Sequence, residues 1–198
     1  MKHVLSRGAL IALAMLPTAA WAHPGLHGET SFMSGFLHPL TGIDHMLAMV
    51  AVGLLAACLG GRSLWAVPAS FILAMVIGGA LSVAGVHIPV VEGGIAASVI
   101  VLGVLVAIQA KISVAFAAAL VALFGLFHGA AHGTEMPVDA SLFGYTAGFV
   151  VATAILHALG IAIAFVAAAL SERHSQNVAR LGGGAVAIAG IVLTGASL

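Results

Sequence analysis

The chain has 198 residues, of which 62% are hydrophobic and only 6% charged, with six Lys+Arg balanced by six Asp+Glu. A water-soluble domain carries about 25% charged residues, so this composition excludes an ordinary soluble core and indicates an all-α integral membrane protein embedded in the lipid bilayer. The zero formal charge and the lack of any basic block exclude nucleic acid as a partner, because phosphate recognition needs clustered Lys and Arg.

The N-terminal stretch MKHVLSRGALIALAMLPTAAWAHPGLHG places Lys2 and Arg7 before a short apolar run, Pro17 and the small-residue pattern Ala20-Trp21-Ala22. This pattern predicts a cleaved signal peptide over 1–22 and a single transmembrane helical domain over 23–198. Cleavage after Ala22 leaves His23 on the exported side, with an α-amine and an imidazole that together can chelate a metal.

Apolar runs long enough to cross the bilayer as helix, about 18 residues or more, then predict six spans near 40–59, 64–84, 91–110, 112–133, 142–170 and 181–198. Interruptions by Gly, Pro or charge separate them: GGRS, AGVHIPVVEG, AKIS, HGTEMPVDAS and SERHSQNVARLGG. The first, third and fifth breaks hold Arg62, Lys111, Arg173 and Arg180; the second and fourth hold His87, Glu92, Glu135 and Asp139. The positive-inside rule therefore puts the mature N-terminus outside. Gly125-x-x-x-Gly129, Gly129-x-x-x-Gly133 and Gly144-x-x-x-Gly148 are spacings that allow helices to pack closely. Cys58, the only cysteine, excludes an intrachain disulfide and a Cys-based zinc motif, and reads as a buried structural thiol.

Ionisable residues inside a span are costly and mark function by default. In HPLTGIDHML, Pro39 biases His38 away from helical geometry, which predicts that the first span begins there. Gly42 loosens the backbone ahead of Asp44 and His45, and in continuous helix His38 and His45 would share a face. In the fourth run, His128 and His132 stand at i and i+4 on one face, a spacing at which two imidazoles can share a metal, and Glu135 follows. Antiparallel first and fourth spans bring these groups to one membrane level, where the start of the third span adds Glu92.

His38, Asp44, His45, Glu92, His128, His132 and Glu135 thus form a candidate outer vestibule offering imidazole nitrogen and carboxylate oxygen to a borderline divalent metal. Asp44 can instead orient its neighbouring histidine, and Glu92 can equally lie in headgroup-level water. His157 and His87 taken singly read as partners in interhelical hydrogen bonds, although His157, further along the inward path, is with His23 also a candidate metal ligand; His174 reads as a solvated loop residue. Met33, Met46, Met49 and Met136 also fall near the outer side. Thioethers favour soft ions, but methionine is common packing filler. An intramembrane zinc-dependent hydrolase using the same cluster, with Asp44 or Glu135 as general base, is the competing reading, and a haem-binding electron carrier a weaker one.

The segments HPLTGIDHMLAMVAVG and FHGAAHGTEMP resemble the two signature motifs of the HupE/UreJ family of nickel permeases. The pattern H-P-x-x-G-x-D-H falls on His38, Pro39, Gly42, Asp44 and His45, and F-H-G-x-A-H-G-x-E on Phe127, His128, Gly129, Ala131, His132, Gly133 and Glu135. The resemblance implies a bundle of about six helices after a cleaved signal peptide, in the bacterial inner membrane, with the mature N-terminus periplasmic. It implies a facilitator rather than an enzyme, with Ni2+ as transported substrate, Co2+ or Zn2+ as alternatives and no permanently bound cofactor. It also implies nickel supply to hydrogenase or urease maturation, with hand-over to cytoplasmic nickel chaperones.

Overall fold

The computed structural model of the protein describes residues 31–196. The expected signal peptide and His23 lie outside the described residues. Among these residues every regular element is helical: α1 Ser31–Thr41, α2 Ile43–Leu59, α3 Ser63–Val83, α4 Val91–Ala107, α5 Val114–Thr134, α6 Leu142–Leu170, α7 Glu172–Asn177, a π-turn over Val178–Gly182, and α8 Gly183–Ala196. Four stretches are long and apolar enough to cross a membrane: α3, α5, α6 and the run Glu172–Gly195. Helices α1 and α2 pass that test only as a pair bent by 84°, and α4, with 17 residues, is a shorter apolar helix.

Each of the six expected runs therefore contains a helix, but the start of the first differs from expectation. His38 and Pro39 lie inside α1, and the chain breaks at Gly42 instead. Proline removes one hydrogen bond within a helix, which here falls near the C-terminal end of α1. Burial of Gly35 and Pro39 against the bundle offsets that loss. Gly42 is extended, with φ −89° and ψ 114°, a conformation open to any residue. Its special requirement is room: a Cβ there would stand 3.0 Å from Asp44 Oδ1 and 3.1 Å from His45 Nδ1.

The helices are apolar on every face, so polarity does not select which side is buried; residue size does. Helix α2 runs through the centre, with Ala48, Met49, Ala51, Val52, Leu55 and Ala56 fully buried among α3, α4 and α6. Large side chains such as Trp65, Leu73, Phe116, Phe143 and Phe165 point outward, where lipid would cover them. Glycines set the closest approaches. A Cβ on Gly129 would collide with the Met75 carbonyl and one on Gly125 with that of Phe71, which welds α3 to α5 along the expected Gly-x-x-x-Gly stripe. Gly53 and Gly160 similarly bring α2 against α6, with the His157 carbonyl over Gly53 and the Val50 carbonyl over Gly160. Gly148 seats α6 on the Phe32 carbonyl of α1.

These contacts bring the α1–α2 junction, the end of α5 and the start of α6 to one end of the bundle. Arg62, Lys111 and Arg180 belong to turns at the opposite end. Cys58 is there too and is exposed, correcting the expectation of a buried thiol. It occupies the last turn of α2 and lines a cavity of about 670 Å3 with Gln109, Lys111 and Glu172.

Candidate functional site

The two histidine-bearing segments meet as expected, although by a different route. A bend at Gly42, and not one continuous helical face, turns both His38 and His45 onto His132: ring centroids lie 4.9 Å apart for His38–His132 and 5.0 Å for His45–His132. His45 also stands edge-on to His128 at 4.7 Å. His128 and His132 are fully buried, and His45 nearly so. Four imidazoles thus form one continuous cluster at the junction of α1, α2 and α5.

The hydrogen bonds around the cluster fix which nitrogens carry protons. A carboxylate only accepts, so the 2.9 Å contact of His45 Nδ1 with Asp44 Oδ1 requires Nδ1–H to donate. The His45 backbone N–H donates to the same oxygen at 2.7 Å. The ring's lone pair is then on Nε2, which is buried and has no partner. The Ser98 hydroxyl donates its one hydrogen to the Ile95 carbonyl at 2.6 Å, which leaves its oxygen to accept from His128 Nε2–H at 2.9 Å. His128 Nδ1 is therefore a bare lone pair, also buried and unpartnered. His132 has no hydrogen-bond partner on either nitrogen; its ring stacks on Phe149 at 4.9 Å and 10°. His38 Nε2–H donates to Glu135 Oε2 at 2.8 Å, at the more exposed rim of the cluster.

Buried polar atoms are nearly always hydrogen-bonded, because stripping a group of water without replacement costs about 1–3 kcal/mol. Bare nitrogens on three adjacent buried rings are thus an unusual concentration. Imidazole lone pairs held by a carboxylate or hydroxyl on the other nitrogen are the form in which histidine ligates a metal. Among the described residues, no group of three or more His, Cys, Asp or Glu side chains is arranged so that it could hold a metal ion as it stands.

Glu92 does not join this cluster. It is exposed at the start of α4 and lines a separate cavity of about 380 Å3 with Ser82, His87, Ala130 and Thr134. It lies at the same end of the bundle as the cluster, but α5 presents Ala130 and Thr134 to it while His128 and His132 occupy another face. His157 is buried on α6, and its Nδ1–H donates to the Met49 carbonyl at 2.8 Å, the interhelical bond expected of a lone membrane histidine. Its Nε2 nevertheless lacks a partner. The Phe71 ring lies between His128, at 5.3 Å, and His157, at 5.2 Å.

Sequence reasoning missed Ser98, Phe71 and Tyr145. A hydroxyl in the middle of an apolar run could have marked Ser98 and also Thr153. Nothing in the pattern distinguishes Phe71 from lipid-facing aromatics. Tyr145 is buried beside His38, with ring centroids 5.9 Å apart, and its hydroxyl has no partner.

A family profile described as HupE / UreJ protein matches residues 11–193 of the chain. Protein HupE of Rhizobium leguminosarum bv. viciae is 47% identical over 193 residues, spanning 98% of each of the two chains. No solved structure matches.

Proposed function

The chain belongs to the HupE/UreJ family, and on that premise we propose that it is a membrane permease for a divalent transition metal, with Ni2+ as its substrate. The observation that carries the reading is the set of unpartnered nitrogens on His45, His128 and His132 at one end of an apolar bundle. A hydrated ion meets Glu135 and His38 at the exposed rim, exchanges water for imidazole at His132 and His45, and passes inward by way of His128. Asp44 and Glu135 supply negative charge that offsets the dication, and among the described residues neither Lys nor Arg stands near to oppose it.

Conduction needs sites weak enough to release the ion. A cluster whose rings must turn to converge on a metal suits that requirement, whereas a closed cage would retain it. Asp44 and Glu135 are each engaged in orienting a histidine. That role fits ligand support better than the free general base a zinc hydrolase would need, which favours transport over hydrolysis and a chain that is not an enzyme.

The rest of the reading follows from charge and motif. The histidine end faces the periplasm and the Arg62, Lys111 and Arg180 end faces the cytoplasm of a bacterial inner membrane. A signal peptide over 1–22 is removed, and the delivered nickel serves hydrogenase or urease maturation by way of cytoplasmic nickel chaperones. Co2+ and Zn2+ are the nearest competing substrates, and no cofactor is permanently bound. Glu92, apart from the cluster, acts at most as an outlying carboxylate that attracts cations to this end. Uptake of radioactive nickel by cells expressing this protein alone tests the proposal: accumulation above the vector control supports it, and none at matched membrane abundance overturns it.

A further inference from the structure

One turn inward of His45 and His128, three buried side chains from three helices converge on a point that none of the motif residues occupies. Thr153 on α6 donates its hydroxyl towards Met49 Sδ on α2 at 3.4 Å and Met75 Sδ on α3 at 3.7 Å. All three residues are 0% exposed. Threonine inside a helix ordinarily returns its hydroxyl to a carbonyl of the preceding turn, as Thr134 does to Ala130 and Ala131. Thr153 instead addresses two thioethers, which are weak acceptors. His157 stands one turn further along the same helix, and its Nδ1–H is tied to the backbone carbonyl of Met49 itself. That bond leaves the buried Nε2 as a lone pair with no partner. One small region therefore holds two sulfurs, a hydroxyl and an unpaired imidazole nitrogen, all dry and all carried by helices that glycines draw together.

We propose that Met49, Met75, Thr153 and His157 form a second, inner metal site that receives the ion from the outer imidazole cluster and selects for a borderline transition metal such as Ni2+. This inference rests on the permease reading given above. In the structure the Thr153 hydroxyl hydrogen is directed into the space between the two sulfurs. Rotation about the Cβ–Oγ1 bond turns that hydrogen away and leaves the oxygen in place, and the hydroxyl then offers its own lone pairs together with the sulfurs. Thioether donors bind hard ions such as Mg2+, Ca2+ and Mn2+ poorly, while imidazole and sulfur suit later transition metals. The neutral donor set also binds a dication weakly, without a carboxylate to trap it, as a transit site requires. The outer cluster with its carboxylates would collect cations; the inner site would discriminate among them.

The test uses full-length protein carrying Met49→Leu and Met75→Leu together, substitutions that nearly conserve volume and cost less than about 1.5 kcal/mol each. Two measurements are made at matched membrane abundance: uptake of 63Ni2+ at limiting concentration with and without excess Mn2+, and nickel-edge X-ray absorption of the Ni2+-loaded wild-type protein in detergent. The inner site predicts a sulfur scatterer in the wild-type spectrum. It also predicts uptake by the double variant lowered about tenfold, at the low end for losing a metal-site partner, with inhibition by Mn2+ stronger than in the wild type. Nitrogen and oxygen scatterers alone, or uptake by the double variant equal to wild type, would overturn the inner site while leaving the permease reading in place. A wild-type protein that takes up no nickel would overturn both.

Discussion

Asp44→Asn isolates the electrostatic part of the outer cluster, because it changes one oxygen to NH2 and leaves the side-chain volume in place. In the wild type the carboxylate accepts from both the ring Nδ1–H and the backbone N–H of His45, at 2.9 and 2.7 Å. Asparagine can still offer its amide oxygen to these donors, so the bonds survive as neutral ones. A hydrogen bond to a charged group contributes about 1.5–3 kcal/mol and a neutral one about 0.5–1.5, so the difference is about 1–1.5 kcal/mol per bond. The Asp44 side chain is one-third exposed, and solvent screening holds the sum for both bonds near the value for one. At about 1.4 kcal/mol per factor of ten, the metal affinity at His45 falls about tenfold. The lost attraction between carboxylate and dication adds to this, and partner residues around metal ligands generally contribute factors of about 10–100. Initial rates of 63Ni2+ uptake over a concentration series should therefore show half-saturation raised about 10- to 100-fold, with the rate at saturating nickel much less affected. If Asp44→Asn accumulates normally and its half-saturation stays within about twofold of wild type, Asp44 does not tune His45 and the tautomer argument for this site is wrong.

Three further outcomes are expected. Gly129→Ala forces a methyl group into the Met75 carbonyl and should destabilise the α3–α5 pairing by about 1–3 kcal/mol, the range for overpacking, seen as a lowered thermal midpoint in detergent. In a Cys58→Ser background, Glu92→Cys and Asp139→Cys should react with an impermeant thiol reagent from the periplasmic side and Arg62→Cys should not; the reverse pattern would invert the proposed orientation. Because imidazole ligates metals only when neutral and its reference pKa is about 6.5, uptake at limiting nickel should decline as external pH falls from about 7.5 to about 5.5. A flat profile over that range would argue that no accessible histidine binds the ion.

The spans and the site residues differ in how far the sequence reveals them. Long apolar runs bounded by Gly, Pro and charge mark helices because an unpaired backbone cannot be tolerated in lipid, and α3, α5 and α6 fall close to their expected limits. The i, i+4 spacing of His128 and His132 likewise follows from helical geometry alone. Helix α1 was not legible, because the local bias of the His38–Pro39 pair is overridden by packing: Gly35 and Pro39 fit against the bundle, and the break moves to Gly42. Glu92 shows a second limit. Sequence order and alternating direction give the level of a residue in the membrane but not its azimuth around the bundle, and azimuth separates Glu92 from the histidines. Cys58 shows a third: in helices apolar all round, hydrophobicity does not report burial, and the last turn of α2 borders an open cavity. The tautomer of His45 is foreshadowed by the adjacent Asp44, whereas those of His128 and His157 arise from Ser98 and Met49 on neighbouring helices and have no local signature.

In the permease proposed above, an ion crosses by way of the bare nitrogens of the histidine cluster. Purified full-length protein reconstituted into liposomes, loaded inside with a nickel-sensitive dye, tests it without chaperones or other transporters. Wild-type vesicles should show Ni2+ entry, and vesicles carrying His132→Ala, which removes a ring contacting both His38 and His45, should lose most of it at equal protein content. Entry through His132→Ala at the wild-type rate would exclude the histidine cluster as the ion's route.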